Sequence, residues 1–251
     1  MNTPTLVHLH YSPWSERARW ALDHHAVAYA TIAHEPVLGE RRLRRLAGGQ
    51  RPATVPLLLD GDARLRDSWS IAEYADRHGG AAPLLPAEHL PAIRRWNEVL
   101  EAAMAAGRGL VVAGLLADPA ALDEQMPPAV PAWVRRLARP LNRFGTRWFA
   151  AKYGLDLREG EAHAAGLRRG LDAAREALPG ESSYLVGGAF TYADIILASA
   201  LQGVLPVEDR YIRMGPATRR AWTQPALARE YADLLEWRER LYRDHRGRRA
   251  S

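Results

Sequence analysis

Residues 5–22 read TLVHLHYSPWSERARWAL, and this stretch decides the fold at the amino end of the chain. Residues alternate from Thr5 to His10 with the period of two that predicts a β-strand. Pro13 suits the first position of a helix, because an N–H at that position would have no intrahelical partner. Apolar side chains then recur at helical spacing, at Trp14, Ala18, Ala21 and Leu22. The stretch therefore predicts a strand that passes directly into a helix at Ser12.

Strand and helix patterns continue to alternate up to about residue 80. Strands are predicted at 27–32, 55–59 and 63–66, with a hairpin turn signal at Asp60-Gly61. Helices are predicted at 38–46 and from Asp67, where Ser70 and Glu73 have the spacing of a capping box. The resulting order β-α-β-α-β-β-α places helices on both faces of a small mixed sheet, as in a thioredoxin-like domain.

Beyond a glycine-rich and alanine-rich boundary at 79–83, only helical patterns follow. We expect helices at 88–106, 133–153 with a break at Pro140, 159–178, 191–205 and 225–242, and a loop-rich interval at 119–131. The fold class predicted is an α/β thioredoxin-like domain at residues 1–80, followed by an all-α domain at 88–251.

The composition excludes several kinds of protein. The chain has 251 residues, 47% of them hydrophobic and 25% charged, as in soluble globular proteins. It has no cysteine, which excludes disulfides, thiolate zinc sites, iron–sulfur clusters and cysteine nucleophiles. The apolar runs 110–116 and 195–205 are too short to span a bilayer, and no targeting segment is recognised. We therefore expect a cytoplasmic protein with no membrane partner.

The net charge of +5 comes from arginine, since Lys152 is the single lysine among 34 cationic residues. Most of the arginines are mixed with acidic residues along the chain. We interpret them as solvated helix faces and expect no nucleic-acid partner. Two clusters stand apart, one at Arg41, Arg42, Arg44 and Arg45 and one at Arg246, Arg248 and Arg249, and for these too solvated helix faces are the interpretation that we favour over a polyanion site.

Ser12 is the first candidate for chemistry, because it lies where a strand passes into a helix amino end. The amide groups and the positive end of the helix dipole favour an anion there, and a thiolate is such an anion. A hydrogen bond from the Ser12 hydroxyl would lower the pKa of that thiol. From the residues alone, an ordinary helix cap is the favoured role for Ser12, and the two roles are compatible. Ser15, one turn further, is a weaker candidate.

Two further elements and one set of histidines complete the candidates. Pro56, at the start of a core strand, is a candidate cis proline, the alternative being a simple strand-start proline. Asp67-Ser68 begins a helix and could hold an ammonium group or only cap. Four histidines lie near the first strand and helix, at His8, His10, His24 and His25, and their spacing does not indicate a metal site.

Four motifs in this order resemble the cytosolic glutathione S-transferases. Residues 11–22 resemble the first strand-to-helix segment of the serine and cysteine classes, and 54–58 match the family's Val-Pro strand. Residues 67–74 match its acidic-Ser helix start, and 184–195 resemble the helix with its buried N-capping box. The chain is thus similar to a serine-type member of that family.

The resemblance implies roles for individual residues. Ser12 would activate the glutathione sulfur, although a tyrosine-type role for the adjacent Tyr11 stays open. Val55 would pair through its backbone with the cysteinyl part, and Gln50 or Arg51 would bind the glycyl carboxylate. The predicted glutathione-binding residues are Tyr11, Ser12, Trp14, Gln50, Thr54, Val55, Pro56, Asp67 and Ser68, of which Asp67 and Ser68 would hold the γ-glutamyl end. Thr191 and Asp194 would cap a helix and serve folding.

The resemblance also implies the activity. Glutathione would be a co-substrate, without a metal, and its thiol would attack a hydrophobic electrophile, in a detoxifying homodimer. A mixed-disulfide mechanism is excluded, because the chain has no cysteine. Two alternatives are a non-catalytic binding module of the same fold and a dedicated biosynthetic glutathione-dependent enzyme: a lyase, isomerase or conjugating enzyme.

The interval 107–158 is longer than the family leads us to expect. It contains Met126, Trp133, Phe144, Trp148, Phe149 and Tyr153. We place these side chains first in the core, ahead of a substrate pocket or dimer contacts.

Overall fold

The computed structural model describes residues 3–126, 130–178, 180 and 184–246. The chain forms two compact units. The first contains the described residues of 1–98, 177–199 and 237–251, and the second contains those of 99–176 and 200–236. The division of the chain into domains at 1–80 and 88–251 stays a prediction.

The first unit contains a four-stranded sheet with strands β1 (Thr5–His8), β2 (Ala30–Ala33), β3 (Leu57–Asp60) and β4 (Ala63–Leu65) in the order β2-β1-β3-β4. β1 and β2 are parallel, and the other two pairs are antiparallel. A parallel pair needs a crossover, which helix α1 (Pro13–His24) supplies. Helices α2 (Glu40–Leu46) and α3 (Ser68–His78) complete the order expected from the sequence, and the thioredoxin-like fold is confirmed.

Apolar side chains hold the sheet to its helices. One cluster joins β1 and β3 to α2 through Val7, Leu57 and Leu43, all nearly inaccessible to solvent. Ala18, Ala21 and Leu22 of α1 are also fully buried, as their helical spacing predicts.

Two local expectations in this unit need correction. β2 begins at Ala30 and not at Val27, because the Val27 amide donates to the Leu22 carbonyl at 3.0 Å and Ala26 has φ +51° at the end of α1. The capping box at Ser70 and Glu73 is wrong. Asp67 caps α3 by accepting from the Ser70 amide at 2.8 Å, so the helix begins at Ser68.

The remaining helices confirm the helical carboxyl part, and among the described residues no strand follows Leu65. They are α4 (Leu90–Ala117), α5 (Pro119–Asp123), α6 (Ala132–Leu137), α7 (Arg139–Lys152), α8 (Gly160–Ala177), α9 (Tyr192–Ala200), α10 (Pro216–Trp222), α11 (Pro225–Glu230) and α12 (Ala232–His245). Short 3₁₀ turns occur at Ala87–His89 and Leu201–Gly203.

Several helix boundaries differ from the prediction. α4 continues to Ala117, and part of the interval expected to be a loop is helix α5. Asp118 makes α5 possible by accepting from the Ala120 and Ala121 amides at 2.8 and 3.3 Å. Residues 127–129 of that interval lie outside the described residues. The helix expected at 225–242 is interrupted at Tyr231, whose ψ of 33° is not helical.

The segment Ala87–Ala117, which includes α4, is long and apolar enough by length and composition to cross a membrane. The expectation drawn from the short run at 110–116 therefore needs correction, because that run belongs to this longer helix. Core helices of soluble proteins meet the same criterion.

The start of α9 is a buried cap. Asp194 is fully buried and accepts from the Leu185 amide at 2.7 Å, the Thr191 amide at 2.8 Å and the Thr191 hydroxyl at 3.1 Å. Burial raises the pKa of Asp194 to about 6, although these hydrogen bonds oppose the shift. The expected capping role of Thr191 and Asp194 is confirmed.

Candidate active site

The topology of the sheet brings three predicted segments to one end of it. Val7 pairs with Leu57, so the end of β1 that leads to Ser12 lies beside the start of β3, which follows Pro56. Leu58 pairs with Leu65, so the end of β4 that leads to Asp67 lies at the same edge. Segments far apart in sequence therefore converge there.

Ser12 occupies the N-cap position of α1 with extended backbone angles, φ −71° and ψ 127°. Its amide donates to the Leu9 carbonyl at 3.0 Å, and its carbonyl accepts from the Glu16 amide at 2.9 Å. Its hydroxyl makes no capping hydrogen bond. The capping role favoured from the residues alone is therefore wrong, since the hydrogen bonds to Leu9 and Glu16 are made by the backbone of Ser12 and its side chain does not cap the helix. Ser12 is partly buried, so its hydroxyl is available to a ligand at this helix end.

Ser15 has a structural contact instead. Its side chain is fully buried, and its Oγ accepts from the Leu9 amide at 3.1 Å. The hydrogen bond satisfies a backbone donor just beyond β1 and fixes the turn into α1. Ser15 is therefore committed to the turn, which distinguishes it from Ser12.

Tyr11 and Trp14 flank Ser12, and both are partly buried. Burial raises the pKa of the Tyr11 phenol above its usual value. The phenol therefore stays protonated at neutral pH and can donate a hydrogen bond, but it cannot act as a base there.

The Thr54-Val55-Pro56 segment has the expected cis peptide bond between Val55 and Pro56. Pro56 is buried, whereas Thr54 and Val55 remain partly accessible. Val55 therefore lies, partly accessible, immediately before the core strand β3.

Asp67 and Ser68 lie at the start of α3. Asp67 is exposed, and its two carboxylate oxygens accept from the amide and the hydroxyl of Ser70, both at 2.8 Å. Ser68 is buried. Each carboxylate oxygen has a second lone pair, so capping leaves Asp67 able to accept from an ammonium group as well.

Two arginines missing from the sequence predictions lie near the end of α2. Arg64 donates from Nε to the Leu46 carbonyl at 3.0 Å, and Arg66 donates from Nη2 to the Ala47 carbonyl at 2.9 Å. The Nε of Arg66 is buried with no hydrogen-bond partner among the described residues. Gln50, Arg51 and Pro52 follow in an exposed loop, where the Arg51–Pro52 peptide bond is cis. Its position next to Asp67 is the sequence signal that could have identified Arg66.

A buried charge cluster supports α1 from within. Glu16 is fully buried and accepts from Arg246 Nε at 2.6 Å, and from Arg19 Nε and Nη2 at 3.0 and 2.6 Å. Arg19 also donates to His8 Nδ1 at 2.7 Å and to the His10 carbonyl at 2.9 Å. The cluster therefore links α1 to the turn that precedes it.

Burial alone would raise the pKa of Glu16, but the charges of Arg246 and Arg19 and their hydrogen bonds bring it below its usual value. Arg246 is buried and also pairs with Asp23 at 2.9 Å. The interpretation of Arg246 as a solvated residue is wrong, because it compensates a buried carboxylate. Arg248 and Arg249 lie outside the described residues.

The aromatic side chains of the interval 107–158 do not all lie in the core, where the sequence pattern predicts them. Trp133 and Phe144 are exposed, so their assignment to the core is wrong. Phe149 and Tyr153 are partly buried, and their ring centres are 4.7 Å apart. The Arg108 guanidinium lies 4.1 Å from the Tyr153 ring centre. Met126 and Trp148 are also partly buried.

A groove of about 310 Å³ in the same unit is lined by small residues of α4 and α8 and by Arg169, and by none of the predicted site residues. Among the residues that the structure describes, no group of three or more His, Asp or Glu side chains is arranged to hold a metal ion.

The chain has relatives of known structure. The family model for the N-terminal domain of glutathione S-transferase matches residues 6–83. A glutathione S-transferase of Ceriporiopsis subvermispora in complex with glutathione is 18% identical, with a TM-score of 0.67 and 100% of each chain covered. One from Methylobacillus flagellatus KT with GSH bound is 19% identical, with a TM-score of 0.62, covering 96% of this chain and 95% of that one.

A glutathione transferase of Phanerochaete chrysosporium is 16% identical, with a TM-score of 0.62 and the same shares covered. No protein of curated function matches the chain. At these identities the solved structures establish the fold. The chain therefore has a glutathione S-transferase N-terminal domain at residues 6–83 and the glutathione S-transferase fold over its length, which confirms the resemblance found in its sequence.

Proposed function

We propose that this protein binds glutathione at the edge of the sheet and activates its thiol for attack on a hydrophobic electrophile. The observation that carries the proposal is the Ser12 hydroxyl, which lies at the amino end of α1 and makes no capping hydrogen bond. A polar group at a helix amino end, partly accessible and not used for capping, is suited to an anionic ligand.

Ser12 acts by stabilising the ionised sulfur. Its hydroxyl donates a hydrogen bond to the thiolate, and the positive end of α1 favours the same charge, so the thiol loses its proton to solvent more readily. A free thiol of pKa about 8.5 is only a few per cent ionised at neutral pH, and a fall of about two units raises that fraction more than tenfold. The thiolate forms a bond to carbon while the leaving group departs with its electron pair.

The remainder of the edge supports recognition of the tripeptide. The backbone of the partly accessible Val55, beside the cis bond to Pro56, suits the cysteinyl amide, and the exposed Asp67 carboxylate suits the γ-glutamyl ammonium group. The arginines around the end of α2, together with Gln50 and Arg51, suit the glycyl carboxylate. Glutathione in complexes with related structures is consistent with this assignment.

Titration with glutathione and turnover of an activated aryl halide such as chlorodinitrobenzene test the proposal together. We expect measurable binding by the wild type and by Ser12→Ala, with turnover reduced at least tenfold in the variant. If Tyr11→Phe loses the activity and Ser12→Ala keeps it, Tyr11 and not Ser12 activates the sulfur. Absence of binding at millimolar glutathione would favour the non-catalytic module.

A dedicated biosynthetic enzyme would behave differently. It would bind glutathione and lower the thiol pKa, yet leave the generic aryl halide unchanged, because its electrophile site accepts one substrate. We further propose a cytoplasmic homodimer that acts in detoxification, which sedimentation equilibrium and fractionation of its host cells test.

A further inference from the structure

The second unit exposes a row of large apolar side chains on α6 and α7. Trp133, Leu137, Leu141 and Phe144 are 66%, 73%, 67% and 63% exposed. Their spacing of four, four and three residues puts them on one helix face. Only Ala138 separates the two helices, and its amide donates to the Val134 carbonyl at 2.9 Å while its carbonyl accepts from the Asn142 amide at 3.0 Å. These are hydrogen bonds of helical spacing, so the face continues across the junction. We call these four side chains the apolar stripe.

The opposite face of α7 makes polar contacts with the rest of the second unit, so the stripe residues of α7 face outward. Arg139 donates to both carboxylate oxygens of Asp123 at 2.9 and 2.6 Å, and Asn142 donates to the Leu122 carbonyl at 2.9 Å. The buried Thr146 accepts from Gln125 Nε2 at 3.0 Å. Residues 139, 142 and 146 lie on one helix face, on the far side from residues 137, 141 and 144.

The segment that carries the stripe has a net positive charge, although Asp123 of α5 pairs with one of its arginines, Arg139. Residues 132–153 contain five arginines and Lys152 but no acidic residue. Arg136 and Arg147 are exposed, one beside Leu137 and the other one turn beyond Phe144. Most other arginines of the chain are mixed with acidic residues, the cluster on α2 being an exception, so this segment combines exposed apolar side chains with a local excess of positive charge.

We propose that the apolar stripe docks on an anionic lipid surface, with α6 and α7 lying in the plane of the headgroups. Two features bind an amphipathic helix to such a surface. Apolar side chains enter the border of the acyl region, and flanking arginines reach the lipid phosphates. Neither helix is long enough to span the hydrocarbon. The contact is peripheral and revises the expectation of no membrane partner.

Charge also decides between a lipid surface and a second copy of the chain. Two copies that met through the stripe would bring their arginines together, and like charges at an interface oppose association. An anionic surface turns the same arginines into attractive contacts. The proposal uses none of the residues of the predicted glutathione site and does not depend on the proposed activity.

Co-sedimentation of the full chain with vesicles tests the proposal. The probe surfaces are phosphatidylcholine alone and phosphatidylcholine with about a third phosphatidylglycerol. We expect at least fivefold more bound protein on the anionic vesicles, and a fall in binding as salt is raised. Equal binding to both vesicles, or none to either, overturns the proposal.

Matched variants distinguish binding through the stripe from nonspecific adsorption of the protein to vesicles. Leu137→Ser should reduce anionic vesicle binding about tenfold, whereas Leu38→Ser, at an exposed leucine of the first unit, should change it less than twofold. R136E/R147E should abolish the preference for anionic vesicles, and R41E/R42E, with the same change of charge on α2, should retain it. Equal effects within either pair contradict the proposal.

Two controls keep the outcomes distinct. Circular dichroism of each variant should match the wild type, because every altered side chain is exposed. Analytical ultracentrifugation without lipid tests the other occupant. Self-association lost in Leu137→Ser, together with no vesicle binding by the wild type, would show that a second copy covers the stripe and would overturn the lipid assignment.

Discussion

The amino ends of α1 and α9 can be compared residue for residue. At α9, Thr191 and the buried Asp194 satisfy one another and the Leu185 amide, so the helix end is closed by its own side chains. At α1, Ser12 has the same position before the first helical residue, but its hydroxyl makes no cap. A closed helix end serves folding, whereas an open one can hold a ligand.

Removing the cap of α9 should have the largest effect. Asp194→Ala leaves two backbone amides without their acceptor in a buried site, and each such group costs about 1–3 kcal/mol. We expect a loss of about 4 kcal/mol in the free energy of unfolding, measured by urea denaturation. A loss below about 1 kcal/mol would break the distinction between the two helix ends.

The pH dependence of stability sharpens the same point. Folding raises the pKa of Asp194 to about 6, above its value in the unfolded chain, so the folded state holds the proton more tightly. Its contribution is fully present below pH about 4 and is lost as pH rises to about 6. The unfolding free energy of the wild type relative to Asp194→Asn should fall by about 2 kcal/mol between the two ends of that window. A difference that stays flat between the two pH values would contradict the shift.

Ser12→Ala should separate function from stability at the other helix end. The hydroxyl makes no cap, so the unfolding free energy should change by less than about 0.5 kcal/mol. The rate of conjugation at neutral pH should fall at least tenfold. Stability lost together with activity would mean that Ser12 is a cap after all.

Ser15→Ala is the matched control within the same helix, and it has the smallest expected effect on function. It removes the acceptor of the Leu9 amide and should cost about 1 kcal/mol of stability. Glutathione binding should change less than threefold, because Ser15 is buried and committed to the turn. A larger loss of activity than of stability would assign the chemistry to the wrong serine.

Local patterns predicted much of this architecture. The period of two at 5–10 and the Ser-Pro step located β1 and the start of α1 within two residues, because alternation and the proline constraint are local properties. The Thr191–Asp194 cap was also readable, since its two members are three residues apart. The order of the elements then placed Ser12, Val55 and Asp67 at one edge of the sheet.

Properties that depend on distant residues were not readable. Arg246 and Glu16 are 230 positions apart, and nothing in either neighbourhood marks them as a pair. The spacing of Trp133 and Phe144 is the same whether a helix face turns inward or outward, so periodicity could not distinguish core from surface. Whether the Ser12 hydroxyl caps depends on side-chain geometry, which a residue type does not determine.

The pKa of the glutathione thiol in the bound state tests the central claim most directly. Ultraviolet absorbance of the thiolate, followed against pH at saturating protein, measures it for the wild type and for Ser12→Ala. The account predicts a pKa about two units below that of free glutathione in the wild type, and a return most of the way to the free value in the variant. Bound glutathione that ionises as it does in water would contradict the account.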